Sequence, residues 1–175
     1  MADDKAPEPP TYPVNAAHLM RTTQLAQLQL SAMADSKASI LMGATFVIFT
    51  ITIGQARAEG GAPLPLLILG GAAFFSAICT VLAVIPKVSR PKRTGESNIL
   101  FFGVFTQMSE EEFIDEITAR VRTEDGIYRT MARDIYQAGT VLQTKKYRLL
   151  AYAYQIFVIG LVASFTAYVI QHFLT

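Results

Sequence analysis

The positions Tyr128, Met131, Ile135, Ala138, Leu142, Lys145 and Leu149 step 3-4-3-4-3-4 along the chain. That spacing makes one face of a helix, with charged residues on the other faces. The next stretch, 149–173, runs 25 residues without Asp, Glu, Lys or Arg. About 20 apolar residues span a bilayer core, so this part crosses a membrane. Residues 127–173 therefore read as a single helix that begins in water and ends in lipid. Gly139 weakens it without stopping it.

Two further apolar blocks complete the pattern. Residues 38–56 are 19 positions without a formal charge, bracketed by Lys37 and Arg57. Residues 64–85 are 22 more, closed by Pro86, which cannot continue a helix. Gly60, Gly61, Pro63 and Pro65 make the short 57–63 connection a turn. The fold class is an all-α integral membrane protein with three transmembrane helices, 38–56, 64–85 and 149–173. Residues 1–13, acidic with four prolines, read as a disordered tail. Residues 14–37 read as a stalk helix with Asn15 as its N-cap.

The polar segment 86–148 reads as a helical module. Its run SNILFFGVFT, 97–106, is too short to span and is either a loop packed on the bundle or an interfacial segment. Ser109 and Glu112 fit a capping box, so a helix runs from Glu110 to about Arg122. Residues 123–126 then turn the chain into the long helix.

Composition sharpens this picture. The chain is 51% hydrophobic and 17% charged, against about 25% charged in soluble domains. Its net charge of +1 gives no bulk attraction to a nucleic acid polymer. The lone cysteine, Cys79, permits no disulfide framework, and His18 and His172 stand too far apart to suggest a metal site. Lys and Arg number three in residues 1–37, eleven in 86–148, one in the 57–63 turn and none after Phe173. The positive-inside rule then puts the N-terminus and the 86–148 segment in the cytoplasm and the C-terminus outside. The spans hold no charged side chain, which argues against ion-coupled transport. No nucleophile–base pair, metal-ligand spacing or phosphate-binding glycine loop is present, so neither catalysis nor a cofactor is expected.

Several features are candidates for function. Ala72/Ser76/Thr80 and Gly160/Ser164 are small-residue faces suited to close helix approach, within the bundle or between copies in a homo-oligomer. Lys37, Lys87, Arg90, Lys92, Arg93, Lys145, Lys146 and Arg148 sit at the membrane boundary and read as topology anchors beside lipid headgroups. Asp35 lies at the same depth as Lys145 and Lys146 and is expected to pair with one of them. Arg129, Arg133 and Tyr136 share a helix face that suits an anionic ligand with a flat base, guanidinium on phosphate and phenol on the ring. The plainer reading of that face is a solvated surface with an Asp125–Arg129 pair. The basic run at 87–93 with Asn98 is a second candidate ligand site.

Three segments in order, ADSKASILMG (34–43), SNILFFGVF with SEEEF (97–113) and RDIYQAGTVLQTKKYRLL (133–150), resemble the Pycsar-effector transmembrane proteins. The resemblance implies a bacterial inner-membrane effector acting beside a nucleotide cyclase. Phage infection would raise a cyclic pyrimidine mononucleotide, cUMP or cCMP. The effector would sense it, impair the membrane and cause abortive infection. The resemblance brings no ligand-contact residues with it. The sequence also has no separate cyclic-nucleotide-binding β-barrel, so sensing falls to the 86–148 segment and the stalks.

Overall fold

A computed structural model describes residues 11–57, 61–85 and 97–173. Its elements are all helices: α1 (Ala16–Ala56), α2 (Leu64–Val84), α3 (Phe102–Phe105), α4 (Glu110–Arg120), α5 (Glu124–Val141), a π-helical segment (Leu142–Tyr147) and α6 (Arg148–Phe173). The stalk and the first span are one continuous helix, α1. The described residues form two compact units, one within Met1–Leu28 and Lys87–Thr140, the other within Gln29–Pro86 and Val141–Thr175. Three helices are long and apolar enough to cross a membrane: α1, α2 and the one ending in α6.

The second unit is packed in the manner of a membrane bundle. Most of its buried positions are small or hydroxylated, including Ala34, Ala38, Ala73, Ser76, Thr80 and Ala153, with Leu41 and Leu150 the large exceptions, while Phe46, Val47, Phe75, Ile159 and Phe165 face outward. Soluble packing hides large apolar side chains. Here lipid solvates them, and close backbone approach is what holds the helices together. Gly160 shows how close that approach is: a Cβ there would stand 2.0 Å from the Cβ of Ala72. Ser76 Oγ donates to the Ala153 carbonyl at 2.8 Å, and Ser164 Oγ donates to the Pro65 carbonyl at 2.7 Å. Both small-residue faces are thus used between α2 and α6 of one chain.

The expected cross-helix ion pair is present, and its partner is Lys146. Its Nζ lies 2.8 Å from both carboxylate oxygens of Asp35 and 2.9 Å from Ser31 Oγ. Tyr147 and Tyr154 donate to the Leu30 and Lys37 carbonyls, each at 3.1 Å. Lys145 and Arg148 are exposed. Lys87, Arg90, Lys92 and Arg93 lie outside the described residues.

Two local expectations change. The long helix does not begin at residue 127 but at Glu124, because Thr123 Oγ1 accepts from the Gly126 N–H at 3.1 Å and caps it. It also carries a break, three residues past Gly139, where the Leu142–Tyr147 turns widen to i→i+5 bonding. The expected start of α4 holds. Ser109 and Glu112 form the reciprocal capping box, and α4 begins at Glu110. The 97–106 run, expected on the bundle or at the interface, is a loop packed within the first unit and carries the short α3.

Candidate ligand-binding face

The first unit is built around the 97–106 loop, α4 and α5. Ile99 and Val104 are its most deeply buried apolar side chains, and Phe105 meets Phe113 of α4 with ring centroids 5.5 Å apart. The corner between α4 and α5 requires a glycine. A Cβ on Gly126 would stand 2.1 Å from the carbonyl oxygen of Arg120. Arg120 itself reaches back to Glu116 and to the Ser97 carbonyl.

Asp134 on α5 is the polar hub of this unit. Its carboxylate accepts from Gln24 Nε2 of α1 and from Asn98 Nδ2, each at 3.0 Å. Asn98 is buried, and its carbonyl oxygen accepts from the Leu100 N–H. Gln27 Nε2 adds a bond to the Ile135 carbonyl. This cluster joins three segments distant in sequence. Nothing in the spacing of the sequence announces it.

The candidate residues Arg129, Arg133 and Tyr136 do share one face of α5, at i, i+4 and i+7. Asp125 lies one turn before them. Its Oδ2 sits 2.6 Å from Arg129 Nε, the pair expected from the sequence. Its Oδ1 accepts from the Tyr12 hydroxyl at 2.7 Å. The Tyr12 ring packs on Tyr128, with centroids 4.3 Å apart. Residues 11–13 were expected to belong to the disordered tail. Tyr12 is instead held to α5 by a hydrogen bond and a ring contact at once.

The charges on this face tune one another. The Tyr12 hydroxyl, and after it Arg129, hold the Asp125 carboxyl below its ordinary range. The same hydrogen bond to Asp125 raises the Tyr12 phenol. Asp125 also raises Arg129. Arg129 uses one of its five guanidinium N–H donors on Asp125 and keeps the rest. Arg133 forms no ion pair among the described residues, and Tyr136 is 75% exposed. The face therefore offers free guanidinium donors beside an open phenol ring.

Asn98 does not join that face. Its amide is spent on Asp134 and Leu100, and Asp134 lies about 100° round the helix from Arg133.

The model of the Pycsar effector protein domain matches residues 18–171. The chain belongs to the Pycsar effector family. No curated protein and no solved structure matches it. The matched region of this Pycsar effector takes in α2, α4 and α5 whole and all but the outermost residues of α1 and α6. A Pycsar effector is an antiphage membrane effector, in keeping with three helices able to cross a bilayer.

Proposed function

We propose that this protein senses a cyclic pyrimidine mononucleotide, cUMP or cCMP, on the cytoplasmic side of the bacterial inner membrane and impairs that membrane during phage infection. The Pycsar effector match over residues 18–171 carries the reading. The fourteen-to-one split of Lys and Arg supports the orientation, with the N-terminus and the 86–148 segment inside. In this reading Arg133 and the unused donors of Arg129 take the phosphate, and Tyr136 stacks on the base. The signal is made by a cognate cyclase.

The ligand acts by preferring one helix arrangement over another. Moving a resting population of about 1% to 99% takes about 5.5 kcal/mol of differential affinity. Two charge-assisted hydrogen bonds at roughly 1.5–3 kcal/mol each supply most of it. From α5 the change runs through the π-helical segment into α6. A π-turn is a strained register that can relax to α, which suits it to passing on a rotation.

The test uses purified protein in vesicles loaded with dye. A panel of cyclic mononucleotides should release dye with one or two members only, and Arg133→Ala should abolish release while insertion stays normal. Leakage by Arg133→Ala equal to wild type would place the site elsewhere. A chain that binds no member of the panel would be a non-signalling anchor or the effector of a different nucleotide. The Asp125–Arg129 pair, which offsets half the charge of the face, is the observation that favours that second reading.

A further inference from the structure

The second unit contains a cleft of about 1070 Å³ at the end that bears the α1–α2 turn and the end of α6. Its polarity is graded. Toward the middle of α2 and α6 its lining is apolar, Leu66, Leu69, Leu161 and Phe165, with Leu161 and Phe165 open on their outer side. The mouth, toward the ends of α1 and α6, is lined by Gln55, Tyr168, Gln171 and His172. The mouth is pre-shaped, because the His172 and Tyr168 rings stack nearly parallel, 7° apart, with centroids 5.7 Å apart. The side-chain amides of Gln55 and Gln171 and the Tyr168 hydroxyl have no hydrogen-bond partner among the described residues.

The length of the cleft identifies what fills it. Leu161 and His172 are 11 residues apart on α6, or about 16 Å at 1.5 Å per residue. Half of a bilayer's hydrocarbon core is about 15 Å. The cleft thus runs from the interface to about the midplane, the span of one leaflet. A lipid is polar at one end and apolar for the rest of that depth, as the cleft is. A transmembrane helix would bring aliphatic side chains to the mouth and leave the amides unpaired.

We infer that the cleft is a phospholipid site, acyl chain against Leu161 and Phe165, phosphate and glycerol ester at Gln55, Gln171 and His172. Among the described residues no Lys, Arg, Asp or Glu lines the cleft, so the site takes zwitterionic as well as anionic headgroups.

Native mass spectrometry of full-length protein extracted in mild detergent tests this. The wild type should retain a phospholipid adduct. Leu161→Trp, which fills the apolar part of the cleft, should lower the retained fraction at least fivefold. Ile159→Trp, on the lipid-facing side of the same helix outside the cleft, should leave it unchanged. The surface double variant Gln55→Ala/Gln171→Ala should also lower it and keeps the fold out of question. The inference is overturned if the wild type carries no phospholipid, or if the Leu161 and Ile159 variants retain it equally. It is also overturned by a dimer without lipid that Leu161→Trp abolishes, since a second copy would then be the occupant.

Discussion

Gly160→Ala is the sharpest probe of how the spans are held. The added methyl carbon would sit 2.0 Å from Ala72 Cβ. Carbon atoms rest at about 3.5–4.0 Å, so α2 or α6 must retreat by at least about 1.5 Å. Neither contact partner is a flexible chain that can swing away. The retreat also strains Ser76 Oγ to the Ala153 carbonyl and Ser164 Oγ to the Pro65 carbonyl, each with its serine about one helical turn and its carbonyl about two turns from the clash. Overpacking costs about 1–3 kcal/mol, and interhelical hydrogen bonds in membranes average about 0.6 kcal/mol each. A loss of about 2–4 kcal/mol follows. The structure also names the rescue. With Ala72→Gly in the same chain, the nearest remaining atom is the residue 72 Cα at 3.6 Å, an ordinary contact. The double variant should recover most of the loss, less about 1 kcal/mol for a glycine inside a helix. Unfolding midpoints in detergent, followed by helical circular dichroism, measure all three variants. Additive losses in the double variant, or a Gly160→Ala midpoint equal to wild type, would refute the α2–α6 contact.

The half-exposed Asp35–Lys146 pair should be worth roughly 1 kcal/mol, at the upper end for accessible ion pairs. Asp35→Lys should lower the unfolding midpoint and Lys146→Asp in the same chain should partly restore it, whereas strict additivity would count against the contact. Asn98→Ala strands the Leu100 N–H and removes a partner of Asp134, a loss of about 1–3 kcal/mol for a buried site. A variant of unchanged stability but weakened nucleotide binding would make Asn98 a ligand contact after all. The Tyr12 latch should be indifferent to pH across the neutral range. Its raised phenol contributes below the unfolded value of about 10 and is lost as pH rises through the folded value, while the lowered Asp125 contributes above about 3.9 and is lost as pH falls through its folded value. Alkaline absorbance titration should show a late-ionising tyrosine that Tyr12→Phe deletes; an unchanged curve would mean the latch does not form in solution.

The sequence by itself determined what depends on neighbours a few residues away or on simple length. Three uncharged runs of 19 to 25 residues announce three spans, since a helix in lipid must satisfy its own backbone. Ser109 and Glu112 announce the start of α4, and Asp125 with Arg129 announces an i,i+4 pair, because both bonds close within one turn. The shared face of Arg129, Arg133 and Tyr136 follows from helical spacing alone. Tertiary structure decided everything that depends on which surfaces meet. It chose Lys146 over Lys145 for Asp35, and it used the small faces of α2 and α6 on each other. It brought Gln24, Asn98 and Asp134 together from three distant segments and docked Tyr12 on α5. It also placed the π-turn at Leu142–Tyr147, where the helical period of the sequence runs on without interruption. Hydropathy and period report the solvent of a helix and the side it shows. They do not report its partner, because the energy of a meeting of two helices lies in distances of a few tenths of an ångström that no residue type carries alone.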